Sequence, residues 1–294
     1  MCIFTHFIKY MTNLYDILNT FIFIITNGII KKKKFTEFNV LKILHHSENF
    51  LVINKPFDMV INCNNPNMQE SVQCVIRKMF PNLANPNLCH EFYFVHRLDY
   101  ATSGVMCIAL NKQSARAASI AFEGRKVQKY YIAVVHGHIN SPSIIINVPI
   151  GRDIREINGS RKMCTNDNQF CTEPRKSCTG LMVLEKGYYN NKAATKILLY
   201  PTTGRRHQLR VHCAYIGHVI VGDYTYSGKT DVEPYRTFLH ALRIIIHNEV
   251  EHLDINTMDP FTSTIHKNQW KPSETIRVVN DKTFWDIQQL TLNT

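Results

Sequence analysis

The 294-residue chain has no C-x-x-C pair, no H-E-x-x-H pattern and no internal repeat or low-complexity segment. Its nine cysteines are odd in number and irregularly spaced. A chain of this length can bury a core without covalent staples, so they read as free thiols of a reducing compartment. Cys164, Cys171 and Cys178 recur every seven residues, but no histidine stands close enough in sequence to complete a zinc set. Long hydrophobic runs are also missing. The apolar stretch at 17–30 falls short of the roughly 20 residues that cross a bilayer, and it carries Asn19, Thr20, Thr26 and Asn27. The lysines Lys31, Lys32, Lys33 and Lys34 follow that stretch instead of preceding it, which is the wrong order for a secretory signal. No arginine occurs before Arg77, which weakens a mitochondrial presequence. Residues 1–38 therefore read as an extension, disordered or targeting, with no stable membrane association.

Acidic residues are scarce relative to basic ones: 23 Asp and Glu against 34 Lys and Arg, a formal charge of +11. That balance suits a protein that meets a polyanion, although a basic enzyme of another kind would share it. Hydrophobic content of 45% and charged content of 19% are those of a folded globular chain. Apolar runs at 40–44 and 50–56 across a short polar break predict a β-hairpin, ended by Pro56, which has no N–H for the ladder. Helical spacing predicts helices over 67–80, 112–124 with Gly124 as its cap, and 205–216 closed by Gly217. Strands are expected at 129–137, 180–185, 194–200, 218–222 and 239–246. The polar segment 151–180 shows no period and reads as an insertion loop. Strands outnumber helices, so the expected fold class is α+β, a mixed, mainly antiparallel sheet flanked by helices. The expected organisation is an extension at 1–38, a catalytic domain at 39–250, and a segment at 251–294 that packs on it or trails it.

Two stretches carry chemistry. His96-Arg97-Leu98-Asp99-Tyr100-Ala101-Thr102-Ser103-Gly104 sets a carboxylate at a loop tip between strand-like flanks, 92–95 and 105–110. A carboxylate in such a place is more often a reagent than a packing residue. Pro201 to His212 gathers Arg205, Arg206, His207, Arg210 and His212 at a loop-to-helix junction opened by Gly204. A helix N-terminus adds partial positive charge, so a phosphate or a carboxylate would be held there. His207 and His212 are five apart without an intervening Glu, which argues against zinc.

The run H-R-L-D-x-x-T-S-G resembles the active-site signature of the RluA group of RNA pseudouridine synthases, and T-G-R-x-H-Q-x-R-x-H resembles the second signature of that group. Val52 to Pro56 resembles its V-x-N-K-P strand, Lys129 to Gly137 its K-x-Y-x-A-x-V-x-G strand, and Leu239-His240-Ala241 its closing L-H-A. Gly217 to Tyr226 resembles G-x-P-I-x-G-D-x-x-Y, with Val219 where proline is common. The resemblance covers about 40 to 247 and is nearest to the eukaryotic branch of RNA pseudouridylate synthase domain-containing proteins. It implies a synthase fold, a uridine-to-pseudouridine isomerase acting on RNA (ribosomal, transfer or messenger), and no cofactor or metal. By the match, Asp99 is the catalytic acid, Arg205 the arginine paired with it, and Tyr131 the tyrosine against the target base. His96, Arg97, Arg206, His207 and Arg210 are the expected RNA contacts. Lys31–Lys34, Arg125, Lys126, Lys129 and the basic residues of 152–162 would extend a phosphate track. A monomer placed inside the cell, cytoplasmic, nuclear or mitochondrial, is expected.

Three other readings bear on the same residues. A catalytically inactive RNA-binding protein that retains the fold would have lost Asp99, Arg205 or Tyr131, and all three are present. A glycosidase needs two carboxylates across the scissile bond, and the nearest acid before Asp99 is Glu91. A membrane-tethered structural protein rests on 17–34 alone.

Overall fold

A computed structural model describes residues 41–62, 71–155 and 162–292. The extension at 1–38 with its lysine run, the first part of the expected 67–80 helix and residues 156–161 of the 151–180 segment lie outside the described residues. Residues 42–294 form one unit, distinct from 1–41.

Its backbone is a sheet of ten strands among the described residues. β1 (Lys42–His46) and β2 (Phe50–Lys55) make the expected hairpin, its turn closed by the Ser47 hydroxyl, which accepts from the N–H groups of Asn49 and Phe50. β2 pairs with β3 (Ser103–Ala109), whose seven residues are all buried. β4 (Gln128–His136), β9 (Thr179–Tyr189), β10 (Lys192–Pro201) and β11 (Leu239–Ile246) form the centre. The order is β1-β2-β3-β11-β4-β10-β9-β13, where β13 is Trp270–Thr275; β12 (Leu253–Asn256) pairs with β11 and β5 (Ser143–Ile146) with β9. Only the β3–β11 pair is parallel, at His240↔Ser103 and Ala241↔Gly104. The fold is thus the expected mixed, mainly antiparallel α+β arrangement. Residues from 251 onward supply β12, β13 and the last helix.

Four α-helices occur among the described residues. α1 (Val72–Met79) starts at Ser71, whose hydroxyl accepts the Cys74 N–H, and buries Val72, Val75 and Ile76. α2 (Lys112–Glu123) is opened in the same way by Asn111 on Ser114. Gly124 caps its end as expected, its N–H bonding the Ile120 carbonyl at φ −72°, and the left-handed turn falls on Arg125 at φ 56°. α3 (Gln208–Tyr215) begins three residues later than the pattern predicts, and α4 (Asp281–Leu292) packs on β9. One apolar cluster fills the space between the central strands and α4, with Phe238, Phe261 and Trp270 buried in it; a second joins β2, β3 and α2. Each fully buried side chain of this size contributes roughly 1.5–3 kcal/mol.

Two expectations are corrected. The 151–180 segment is not an irregular loop: β6 (Ile150–Asp153), β7 (Met163–Thr165) and β8 (Cys171–Arg175) form a separate three-stranded sheet in the order β7-β6-β8. Strands of three to five residues, with charged side chains turned outward, are too short to show a period of two. The strands close tightly at Gly151, where a Cβ would lie 2.3 Å from the Thr172 carbonyl oxygen. The 218–222 stretch makes a single bridge, Ile220 to Val135, instead of a strand. β11 takes the edge of β4 only as far as Ala133, and the stretch borrows what remains.

Candidate active site

The Asp99 loop is held from three sides. Its turn is closed by the Thr102 N–H on the Asp99 carbonyl, 3.1 Å. Immediately after it, Gly104 adopts φ +117° and lies so close to β11 that a Cβ would stand 2.2 Å from the Ala241 carbonyl oxygen. Only glycine fits that crossing. The Ser103 hydroxyl bonds His240 Nδ1 at 2.6 Å and accepts from Arg236 Nη2. From beneath, the fully buried Lys55 ammonium donates to the carbonyls of Pro56 and Met59 (2.8 Å each) and Tyr100 (3.2 Å). Burial lowers the Lys55 pKa to about 7. The preceding stretch, 92–95, bridges β3 only at Tyr93–Ala109, so Asp99 stands on a turn leading into one strand rather than between two.

The cation facing Asp99 is Arg210, not Arg205. Arg210 Nη1 lies 3.4 Å from Asp99 Oδ2, and its Nε and Nη2 grip Asp223 at 2.7 and 2.8 Å. Asp223 is fully buried, while the Asp99 side chain keeps 17% of its surface open. Burial opposes the charge on Arg210, but the Asp223 hydrogen bonds and the two carboxylates raise its pKa above the ordinary value. Arg205 instead donates Nε to the Lys176 carbonyl at 3.1 Å. The reason is local. His207 takes a left-handed conformation, φ 54°, and the helix starts only at Gln208. The Gln208 side chain accepts from the Arg205 N–H and the Thr203 hydroxyl and donates to Cys178 O and Thr179 Oγ1. This clamp leaves Arg205 in the loop and sets Arg210 in the first turn, aimed at the acid.

Asp99 lies in the wall between two hollows. One, about 310 Å³, is also lined by Tyr131, Lys129, Leu98, Gly204 and Arg205. The other, about 890 Å³, is lined by Tyr224, Tyr235 and Arg236 among others; Arg97, Arg206, His207 and Arg210 reach both. Tyr131 lies on the pocket face of β4, and Tyr130 on the opposite face packs against Tyr200 and Phe284, as strand alternation requires. Burial, with the Asp99 charge adding to it, raises the Tyr131 pKa, so its phenol is a neutral donor. His207 is neutral as well: burial lowers it to about 4, and its Nδ1 shares a hydrogen bond with the Tyr226 hydroxyl at 3.0 Å. His96, expected among RNA contacts, is lowered by burial to about 3; its Nε2 accepts the Cys107 N–H and its ring stacks on Phe122. It lends the pocket a wall, not a charge. Arg97 is exposed beside the acid. Among the described residues no group of three His, Cys, Asp or Glu is arranged to hold a metal ion, and no helix is long and apolar enough to cross a membrane.

Sequence reasoning did not assign roles to Asp223, Gln208, Tyr226 or Lys55. Tyr226 lies under the Arg210 guanidinium, 5.1 Å from it, and accepts the Met163 N–H. A signal for each existed, because all four fall inside the quoted motifs.

A family model described as RNA pseudouridylate synthase matches residues 49–215. RNA pseudouridylate synthase domain-containing protein 1 of Danio rerio is 41% identical over 243 residues, 82% of each chain. The Homo sapiens protein of that name is 41% identical over 79% of this chain and 74% of its own. Dual-specificity RNA pseudouridine synthase RluA of Vibrio vulnificus is 33% identical over 72% of this chain and 79% of its own. The solved structure of human RNA Pseudouridylate Synthase Domain Containing 1 superposes with a TM-score of 0.73 at 36% identity, over 86% of this chain and 96% of that one. With an acid-bearing loop and a basic helix junction meeting in one pocket, and with relatives this similar along most of its length, the chain belongs to the RluA-type family of RNA pseudouridine synthases, isomerases that act on RNA.

Proposed function

We propose that this chain converts uridine to pseudouridine in structured RNA (ribosomal, transfer or messenger) with Asp99 as the reacting carboxylate. The observation that carries the reading is that Asp99 is the one acid lining the smaller pocket among the described residues, with the Arg210 guanidinium against it. A guanidinium grips and orients such a carboxylate. In the reaction the N1–C1′ bond breaks with its electron pair going to uracil. The base turns, a C5–C1′ bond forms, C5 gives up its proton and N1 takes one up. Asp99 acts as nucleophile or proton acceptor in this sequence. Tyr131 offers a ring to stack on the base and a neutral hydroxyl to donate to it. The uridine must leave its stack to reach the pocket, at a few kcal/mol of unstacking, and Arg97 and Arg206, which line both hollows, are cations available to the flanking RNA. A glycosidase would need a second carboxylate that this pocket lacks.

The test is tritium release from RNA labelled at uracil C5, with total cellular RNA as substrate. Release by the wild type and none by Asp99→Asn, with RNA affinity kept, is the expected result. Turnover that survives in Asp99→Asn would remove Asp99 from the chemistry.

A further inference from the structure

Sharing Lys129, Gly204 and Arg205 with the Asp99 pocket is a third cavity of about 310 Å³, also lined by Arg125, Thr202 and the acid Glu123. Three cations meet here, and among the described residues none of them is ion-paired. The side chains of Lys129 and Arg125 make no hydrogen bond or ion pair among the described residues, and the Arg205 side chain makes one bond, to a backbone carbonyl. Glu123 is exposed and pairs with none of them. Burial alone lowers the Lys129 pKa to about 8, and burial, with the nearby charges of Arg125 and Arg175 adding to it, lowers that of Arg205. Each cation is placed by a separate device. Arg125 is turned into the cavity's lining by its left-handed backbone at the end of α2. Lys129 shares the pocket face of β4 with Tyr131, two residues on. Arg205 is held by the Gln208 clamp. The Lys129 amine lies beside the bare backbone of Gly204, where a Cβ would stand 3.7 Å from Nζ.

Like charges gathered in a partly buried hollow destabilise the fold unless an anion joins them. The stretch 201–207, which links β10 to α3, carries Gly204 and Arg205, so whatever fills the hollow touches the loop that aims Arg210. A dianion or a diester phosphate fits the volume and the donors; an apolar ligand does not. We infer that Arg125, Lys129 and Arg205 form a phosphate seat over Gly204. It takes a backbone phosphate of the RNA strand immediately flanking the uridine held at Asp99. This rests on the reading that RNA delivers its uridine to the Asp99 pocket. It also gives Arg205 a role that its distance from the carboxylate leaves open: it is a binding residue for the backbone.

The experiment measures binding of a short fluorescent oligouridylate across a salt series. It compares the full chain with Arg125→Gln/Lys129→Gln, with Lys129→Arg, and with Lys192→Gln/Lys271→Gln. The last pair removes two exposed lysines at the opposite end of β10 and on β13. One phosphate contact on a single strand contributes about 0.7 to the slope of log K against log salt. The expected result is a slope lower by about that amount in Arg125→Gln/Lys129→Gln, an undiminished slope in Lys129→Arg, and a smaller change in the distal pair. An equal change in the pocket and distal pairs, or none in either, overturns the seat. Tritium release separates the two ideas. Release with an unaltered slope removes the seat and leaves the reaction standing, whereas a wild type that neither binds the oligomer nor releases tritium removes both.

Discussion

Replacing Arg210 by methionine tests which arginine serves the carboxylate. Methionine keeps much of the length and apolar stem but none of the charge. Two consequences follow from the geometry. Asp223, fully buried, loses both of its guanidinium hydrogen bonds at 2.7 and 2.8 Å and is left as an uncompensated charge. Breaking such a buried pair destabilises by about 3–5 kcal/mol, against a total stability of about 5–15 kcal/mol. For a domain of this size that lowers Tm by roughly 6–20 °C. At the same time Asp99 loses the Arg210 guanidinium at 3.4 Å, and tritium release should fall with it. Arg205→Met removes one bond from a half-buried side chain to the Lys176 carbonyl and should change stability by no more than about 1 kcal/mol. Urea unfolding of both variants, with single-turnover tritium release at saturating RNA, makes the comparison. Adding Asp223→Asn to Arg210→Met removes the stranded charge and should restore part of the stability without restoring turnover. Equal destabilisation by the two arginine variants, or full turnover by Arg210→Met, would refute the assignment of Arg210 to the acid.

Two further outcomes are expected. Lys55 has a folded pKa of about 7 against an ordinary value of 10.5. Between those values the unfolded chain binds more protons, so stability rises with pH. The penalty for the buried ammonium is complete below about pH 7 and gone above about pH 10.5. The stability of the wild type relative to Lys55→Met should therefore grow by about 2 kcal/mol from about pH 7 to about pH 9, and urea unfolding that shows a pH-independent difference would contradict the burial argument. Gly104→Ala should destabilise by more than about 1–3 kcal/mol and lower tritium release with it, because the new Cβ meets the Ala241 carbonyl and shifts the turn that carries Asp99; unfolding at the wild-type urea concentration would show that the crossing is loose.

Much of this protein is legible in one dimension. β11 runs over the residues expected of it, α2 starts and stops near its signals, and Asp99, Tyr131 and Arg210 all fall in motifs that name the family. Those features are local: an alternation, a cap, a spacing within a dozen residues. What could not be read depends on partners far away in sequence. The strands of 150–175 are too short to print a period and exist because they pair with one another. The 218–222 stretch loses its strand to competition for the edge of β4. The choice between Arg205 and Arg210 turns on a left-handed His207, on Gln208 reaching back to Cys178, and on a buried Asp223. An arginine in a motif can reach in many directions. Only the packed chain decides which carboxylate it meets, because 111 residues separate Arg210 from Asp99 and no local pattern encodes that contact.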